Sequence, residues 1–319
     1  MKVSNLTPQI NPKNHISFKK NEEKAFVEAT KPETFEAVEP TEKKFYINNS
    51  IRSIGEAYNY LENRRILSNL LEQDLESENG IVIEIKNGFI KNFSKKVGTS
   101  KKPIMIAITG ESASGKSTFT EIIQNYAQKN NSPITFFKTD RYFRDISEKI
   151  KEQGSFGNLM KSGFDLDNPN NFYLDEMKRD LEKLKEGKET DGRNYLLNGT
   201  GVSMKNAIHY EPNKIIFVEG TTAMLDGIGE LFDAKIYIEA DEEVRKNRLI
   251  ERARERGEDL DEALFHWNYV KEAGRKFVQP LKEKCDIVLT GEFDKDYVEY
   301  LTHALSFMHY NEENDPKFY

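Results

Sequence analysis

The chain has 319 residues, 37% of them hydrophobic and 32% charged, with a formal net charge of −7; that length suits one core domain with appendages. The acid excess argues against general nucleic-acid binding, which selects for surplus Lys and Arg. A single cysteine, Cys285, excludes an intrachain disulfide framework and any multi-cysteine metal site.

Residues 1 to about 44 are polar and carry four prolines. They can bury too little apolar surface to offset the entropy of ordering, so a disordered tail is expected. The N-terminal segment lacks the apolar core of a secretory signal, and no apolar run approaches the roughly 18 residues that span a bilayer. A cytoplasmic protein without a membrane partner is the expectation. Residues 45–100 read as a small α+β region. Ile51, Ile54, Tyr58, Leu61, Ile66, Leu67, Leu70 and Leu71 are spaced for one or two amphipathic helices closing at Gly80. "IVIEIKNGFIKNF" then predicts two short strands around an Asn87-Gly88 hairpin turn. This region is a candidate dimerisation or docking element, or packs on the core; a homo-oligomer is left open.

From about residue 101 short apolar runs (Ile104–Ile108, Ile134–Phe137, Ile215–Val218, Ala234–Ile238, Asp286–Leu289) alternate with helical patterns such as "LDEMKRDLEKLKEG". That alternation predicts a mostly parallel sheet between two helical layers, a three-layer α/β/α domain over residues 101–319.

The segment "GESASGKS", Gly110 to Ser117, fits G-x-x-x-x-G-K-[ST] with a strand before it and an amphipathic helix after it. Gly110, Ser112, Ala113, Ser114 and Gly115 let backbone N–H groups converge on an anion, and Thr118 continues into the helix whose dipole adds to the attraction. Lys116 is placed for terminal phosphates and Ser117 for Mg²⁺. The fold class is therefore a P-loop NTPase. A partner acid is expected at the end of a neighbouring strand, and "KIIFVEG" supplies Glu219; the same position would suit an acid that merely caps a strand. "ITFFKTDRYF" places Asp140 at the carboxyl end of another strand, where ligands gather in open α/β sheets. A carboxylate there can deprotonate an acceptor hydroxyl, or serve as an ordinary turn aspartate.

The order of "GESASGKS", "TDRYF", "LDNPNNF", "LKEGK", "IIFVEG" and "RERGEDL" resembles the phosphoribulokinase and uridine kinase family of P-loop kinases, the uridine–cytidine kinases most of all. The resemblance covers about residues 101–295. It implies that Gly110 to Thr118 bind the phosphates of ATP, with Ser117 and Glu219 near Mg²⁺ and Asp140 as the base toward a sugar 5′-hydroxyl. Asp167 matches the aspartate that holds ribose hydroxyls, while Asn168 and Pro169 also read as a helix start. Tyr195 matches an aromatic residue near the nucleoside. Arg252 and Arg256, on a helix rich in arginine, match a lid over the transferring phosphoryl group; that helix alone would also suit a solvated surface.

Two departures from the family pattern bear on the acceptor. Glu258 stands where the family has an arginine, and Tyr195 to Thr200 lack the aspartate, second aromatic and histidine that read a pyrimidine; the nearest spare histidine is His209. The expected function is ATP- and Mg²⁺-dependent phosphorylation of a small-molecule hydroxyl, with uridine or cytidine first. The alternatives are a same-fold kinase acting on a sugar, phosphosugar or pantothenate-like compound, and an ATP-binding regulatory protein.

Overall fold

The computed structural model describes residue 71 and residues 81–196, 199–225, 227–255, 257, 259–293 and 295–307. The predicted tail and, residue 71 apart, the predicted helices before Gly80 lie outside the described residues, as do Arg256 and Glu258.

Strands β1 (Val82–Ile85), β2 (Ile104–Thr109), β3 (Ile134–Lys138), β4 (Thr190–Tyr195), β5 (Ser203–Tyr210), β6 (Ile215–Glu219), β7 (Ala234–Glu239) and β8 (Ile287–Thr290) form two sheets. The larger has the order β1-β8-β7-β2-β6-β3 and is parallel apart from β1, which runs antiparallel to β8. The smaller is the antiparallel pair β4-β5. All five apolar runs read from the sequence are strands of the large sheet.

Those runs are continuous rather than alternating because both faces of the sheet are covered. On β2, Ile104, Ile106 and Ile108 face one core, with Phe93 and Val97 of α1 (Phe89–Thr99), Phe119 and Ile123 of α2 (Lys116–Lys129) and Val298 of α8 (Lys295–Phe307). Met105 and Ala107 face the other core, with Met177, Leu181 and Leu184 of α5 (Leu174–Lys185). The period-two pleat thus sorts one strand between two layers, and each fully buried Ile or Phe contributes about 1.5–3 kcal/mol. The chain is a P-loop three-layer α/β/α structure.

The hairpin predicted at Asn87-Gly88 does not form; a helix, α1, follows β1. A second strand would place Lys91 between Phe89 and Phe93 on one face. At helical spacing Phe89, Phe93 and Val97 are all buried on one side instead, with the two rings stacked 5.3 Å apart. Gly88, in the left-handed region at φ 76°, serves as the helix N-cap rather than as a hairpin turn. The described residues from 81 to 100 thereby join the large sheet and its core. A smaller correction concerns Asn168: its side chain does cap Asn170, but it opens only a 3₁₀ turn, Pro169–Asn171. Phe172 then pairs with Phe143 in extended backbone, which delays the α-helix to Leu174.

The segment between β3 and α5 includes α3 (Ser147–Gln153) and α4 (Phe156–Lys161) and has its own small core of Phe143, Ile146, Ile150, Leu159, Phe172 and Tyr195. Helices α6 (Glu242–Glu255) and α7 (Leu260–Ala273) follow β7 and meet the phosphate loop through Ala113, Leu249, Trp267 and Val270. No helix among the described residues is long and apolar enough to cross a membrane.

Candidate active site

The site lies at the carboxyl ends of β2, β3 and β6, where the register brings the decisive residues together. Glu219, the last residue of β6, aligns with Ile108 on one side and Lys138 on the other. It therefore aligns, on the neighbouring strands β2 and β3, two residues before Gly110 and Asp140. Beyond β2 the loop folds tightly: Gly110 has φ 146°, and a Cβ there would overlap the carbonyl oxygen of Ile238 on β7. Gly115 caps α2 in a left-handed conformation with φ 109°, and no side chain caps this helix. Its first-turn N–H groups and its dipole are thus left to an anion. Ser114 Oγ is buried and has no hydrogen-bond partner among the described residues.

Lys116 is buried, and its Nζ donates to the carbonyl of Glu111 at 2.9 Å. Burial lowers its pKa, against the pull of Glu219, Asp140 and Asp167. Ser117 Oγ donates to Glu219 Oε1 at 3.3 Å, so the two residues expected near Mg²⁺ are in contact. Asp140 lies just past β3, in the 3₁₀ turn Thr139–Tyr142. Its Oδ1 is 3.3 Å from the point a Cβ would occupy on Gly220, directly after Glu219. Burial and the charge of Glu219 push Asp140 from 3.8 up to about 7, Asp167 adding to the rise and Lys116 opposing it. The turn is anchored from behind: Tyr142 donates to the buried Asp180 of α5 at 2.8 Å.

Asp167 joins this group from the other side, accepting from Ser112 Oγ of the phosphate loop at 3.4 Å. Burial and the adjacent Asp165 push it up to about 6, with Lys116 and the Ser112 hydrogen bond working against them. A second buried oxygen, Asp165 Oδ1, has no hydrogen-bond partner among the described residues.

Arg252 is exposed and lines a cavity of about 580 Å³ with Gly115, Thr118, Arg248, Gly291, Glu292 and Phe293, a size within the usual range of ligand pockets. Its charge also acts on Lys116. Tyr195, at the end of β4, is buried beside Phe143, the residue after the turn of Asp140, at a ring distance of 5.2 Å. His209 is exposed on β5, held by Asp191 of β4 at 2.8 Å.

The family model described as Phosphoribulokinase / Uridine kinase matches residues 105–296, more than half of the chain. The chain belongs to that family. Among curated relatives, the uridine kinase of Clostridium perfringens is 32% identical over 196 residues, covering 59% of this chain and 88% of that protein. The uridine kinase of Limosilactobacillus reuteri is 30% identical over 193 residues, covering 60% and 84%. Among solved structures, phosphoribulokinase from Rhodobacter spheroides is similar with a TM-score of 0.46 and 17% identity, covering 59% of this chain and 70% of that one. The matched residues include Lys116, Ser117, Glu219 and Asp140. They leave out β1 and α1, which precede them.

Residues that the sequence reading passed over also shape the site. Arg248 donates to the carbonyls of Ala113 and Gly291 at 3.3 and 3.2 Å, and Glu111 pairs with Arg245 at 3.0 Å. Both arginines lie on the helix for which a solvated surface was the alternative reading.

Proposed function

We propose that the chain transfers the γ-phosphoryl group of ATP to a hydroxyl of a small molecule, the 5′-hydroxyl of uridine or cytidine being the first choice. The observation that carries this reading is the placing of two carboxylates at the phosphate loop: Asp167 accepts from Ser112 of the loop, and Asp140 stands beside Gly220, within reach of the charges of Glu219 and Lys116. A protein that only senses ATP has no use for this pair on the acceptor side. The uridine kinases among the relatives support the nucleoside as first choice.

Ser117 Oγ and the Glu219 carboxylate are hard oxygen donors side by side, the chemistry that suits Mg²⁺. They would hold the ion, which when bound supplies neutralisation of phosphate charge. The acceptor oxygen attacks the γ-phosphorus while Asp140 takes the hydroxyl proton. A new O–P bond forms, the bond from phosphorus to the bridging oxygen breaks, and ADP leaves with that electron pair. Lys116 and Arg252 meet the charge that develops on the transferring group. Asp167 offers two acceptor oxygens to a vicinal diol. A base near 7 is matched to work at neutral pH.

The test is ADP release by the purified chain against nucleosides, free sugars, phosphosugars and pantothenate. Stimulation by uridine or cytidine is expected; stimulation only by another compound moves the acceptor class. No stimulation by any of them favours the regulatory reading. Gly220→Ala supplies a second check. Its Cβ would overlap Thr139 Oγ1 and crowd Asp140, so turnover is expected to fall about 10²-fold from misplacement of the base, while an ATP analogue still binds. Unchanged turnover would show that the turn has slack.

A further inference from the structure

Glu111, the first residue of the phosphate loop after Gly110, has two roles at its two ends. Its carbonyl accepts from Lys116 Nζ at 2.9 Å and from the Ser114 N–H at 3.1 Å. Its carboxylate turns the other way, into the helices. Oε1 lies 3.0 Å from Arg245 Nη2 of α6, and Oε2 accepts from Gln279 Nε2 at 3.3 Å. Oε1 also fills the space beside Gly274, where any Cβ would collide with it. Gly274 starts the π-helical turn Gly274–Val278 that ends α7. Both charged side chains are buried, Arg245 to 3% exposure, and Arg245 stands 5.4 Å from the ring centroid of Trp267.

The contact between Glu111 and Arg245 is made through one nitrogen. Nε and Nη1 of Arg245 have no hydrogen-bond partner among the described residues. A buried ion pair with such sparse partners adds little to stability, because desolvation of both charges offsets their attraction. Its effect is on geometry. One turn further along α6, Arg248 holds the carbonyl of Ala113, a residue with φ 63° whose side chain packs on Trp267 and Leu249. The helix thus fixes the loop at residues 111 and 113, just ahead of the first-turn N–H groups of α2 that are left to an anion.

We propose that Glu111 and Arg245 form a buried latch that sets the conformation of the phosphate loop, making both of them positioning residues for the phosphoryl donor. The proposal rests on the reading of this loop as the ATP site. By orienting the peptide after Gly110, the latch directs the Glu111 carbonyl at Lys116 and keeps that ammonium in place before nucleotide arrives. The loop is then pre-organised, and binding does not have to order it.

The test uses the full chain, with Mg²⁺ and a non-hydrolysable ATP analogue in calorimetry, beside the melting temperature. Glu111→Gln is expected to weaken the analogue about tenfold, the size of a coupling within one buried network, and to lower the melting temperature. In the double variant Glu111→Leu with Arg245→Met, the unpaired charge is gone and the melting temperature should return toward that of the parent, while the analogue stays about tenfold weaker. If affinity recovers together with melting temperature, or is unchanged in Glu111→Gln, the pair is structural only and the proposal falls. Failure of the parent chain to bind the analogue would instead remove the ATP-site reading on which it rests. The double variant keeps the question answerable where Glu111→Gln does not fold.

Discussion

Asp140→Asn is expected to abolish phosphoryl transfer and, at neutral pH, to raise the melting temperature of the nucleotide-free protein. The two effects have one cause. Asp140 is held in a cleft with Glu219 and Asp167, and burial with their charges lifts it from 3.8 to about 7. Asp167 is lifted to about 6 in the same way. Between pH 4 and 7 the folded protein therefore binds more protons at these groups than the unfolded chain does, and stability from them declines as pH rises. Their contribution is fully present below about pH 4 and is lost as pH passes through 6 and 7. Asparagine has no charge to bury, so the variant should melt higher at pH 7.5 and lose this part of the pH dependence. It has no basic oxygen either, and loss of a general base costs about 10²–10⁴ in rate. Turnover within a few-fold of the parent would remove Asp140 from the base role. A lower melting temperature at pH 7.5 would contradict the electrostatic account while leaving the chemistry open to the kinetic result.

Lys116→Ala is expected to eliminate ATP-dependent ADP release, by about 10² or more, as when a charged stabiliser of a developing anion is removed. The change also withdraws the positive charge that acts on Asp140 and Asp167. Both carboxylates should then titrate at still higher pH, which NMR of labelled aspartate side chains would report. Binding of the ATP analogue should weaken in parallel. Normal kcat in this variant would sink the assignment of the phosphate loop; unmoved aspartate titrations would show that Lys116 lies farther from the acids than its burial beside them indicates.

The large sheet could be read from the sequence because its signal is local. A strand covered on both faces must be apolar at each position, and all of β2 and β6 is buried. The loop motif was equally plain, since each of its residues answers to one physical need. Asp140 and Glu219 are expected because strand ends converge in this topology, whereas Asp167, which follows no strand, is expected only from the family resemblance. At Asn87-Gly88 the turn dipeptide and the apolar spacing point to different structures, and the spacing prevails. Phe89, Phe93 and Val97 already carried the four-residue repeat of a helix. Glu111 and Arg245 could not be found in this way. One occupies a free position of the motif and the other a helix full of similar arginines, and only the fold brings them within 3.0 Å. For Arg256 and Glu258, which lie outside the described residues, the family resemblance remains the basis of expectation.

The pairing of β1 with β8 also bears on when the site can form. Strand β8 leads into Gly291, whose N–H donates to Glu239 and which packs so closely on Ser114 that no side chain would fit. The loop at residues 110–117 is made well before its outer support, which arrives only with β8 (Ile287–Thr290), the strand that must also find β1 (Val82–Ile85) far back in the sequence. Such distant pairing is slow relative to local helix formation. A ribosome-bound chain still short of β8 holds the whole phosphate-binding motif without the backbone that braces it. Until β8 joins, β1 has lost its partner and β7 presents an open edge to other chains. The proposed nucleotide site is therefore among the last parts of the molecule to be completed.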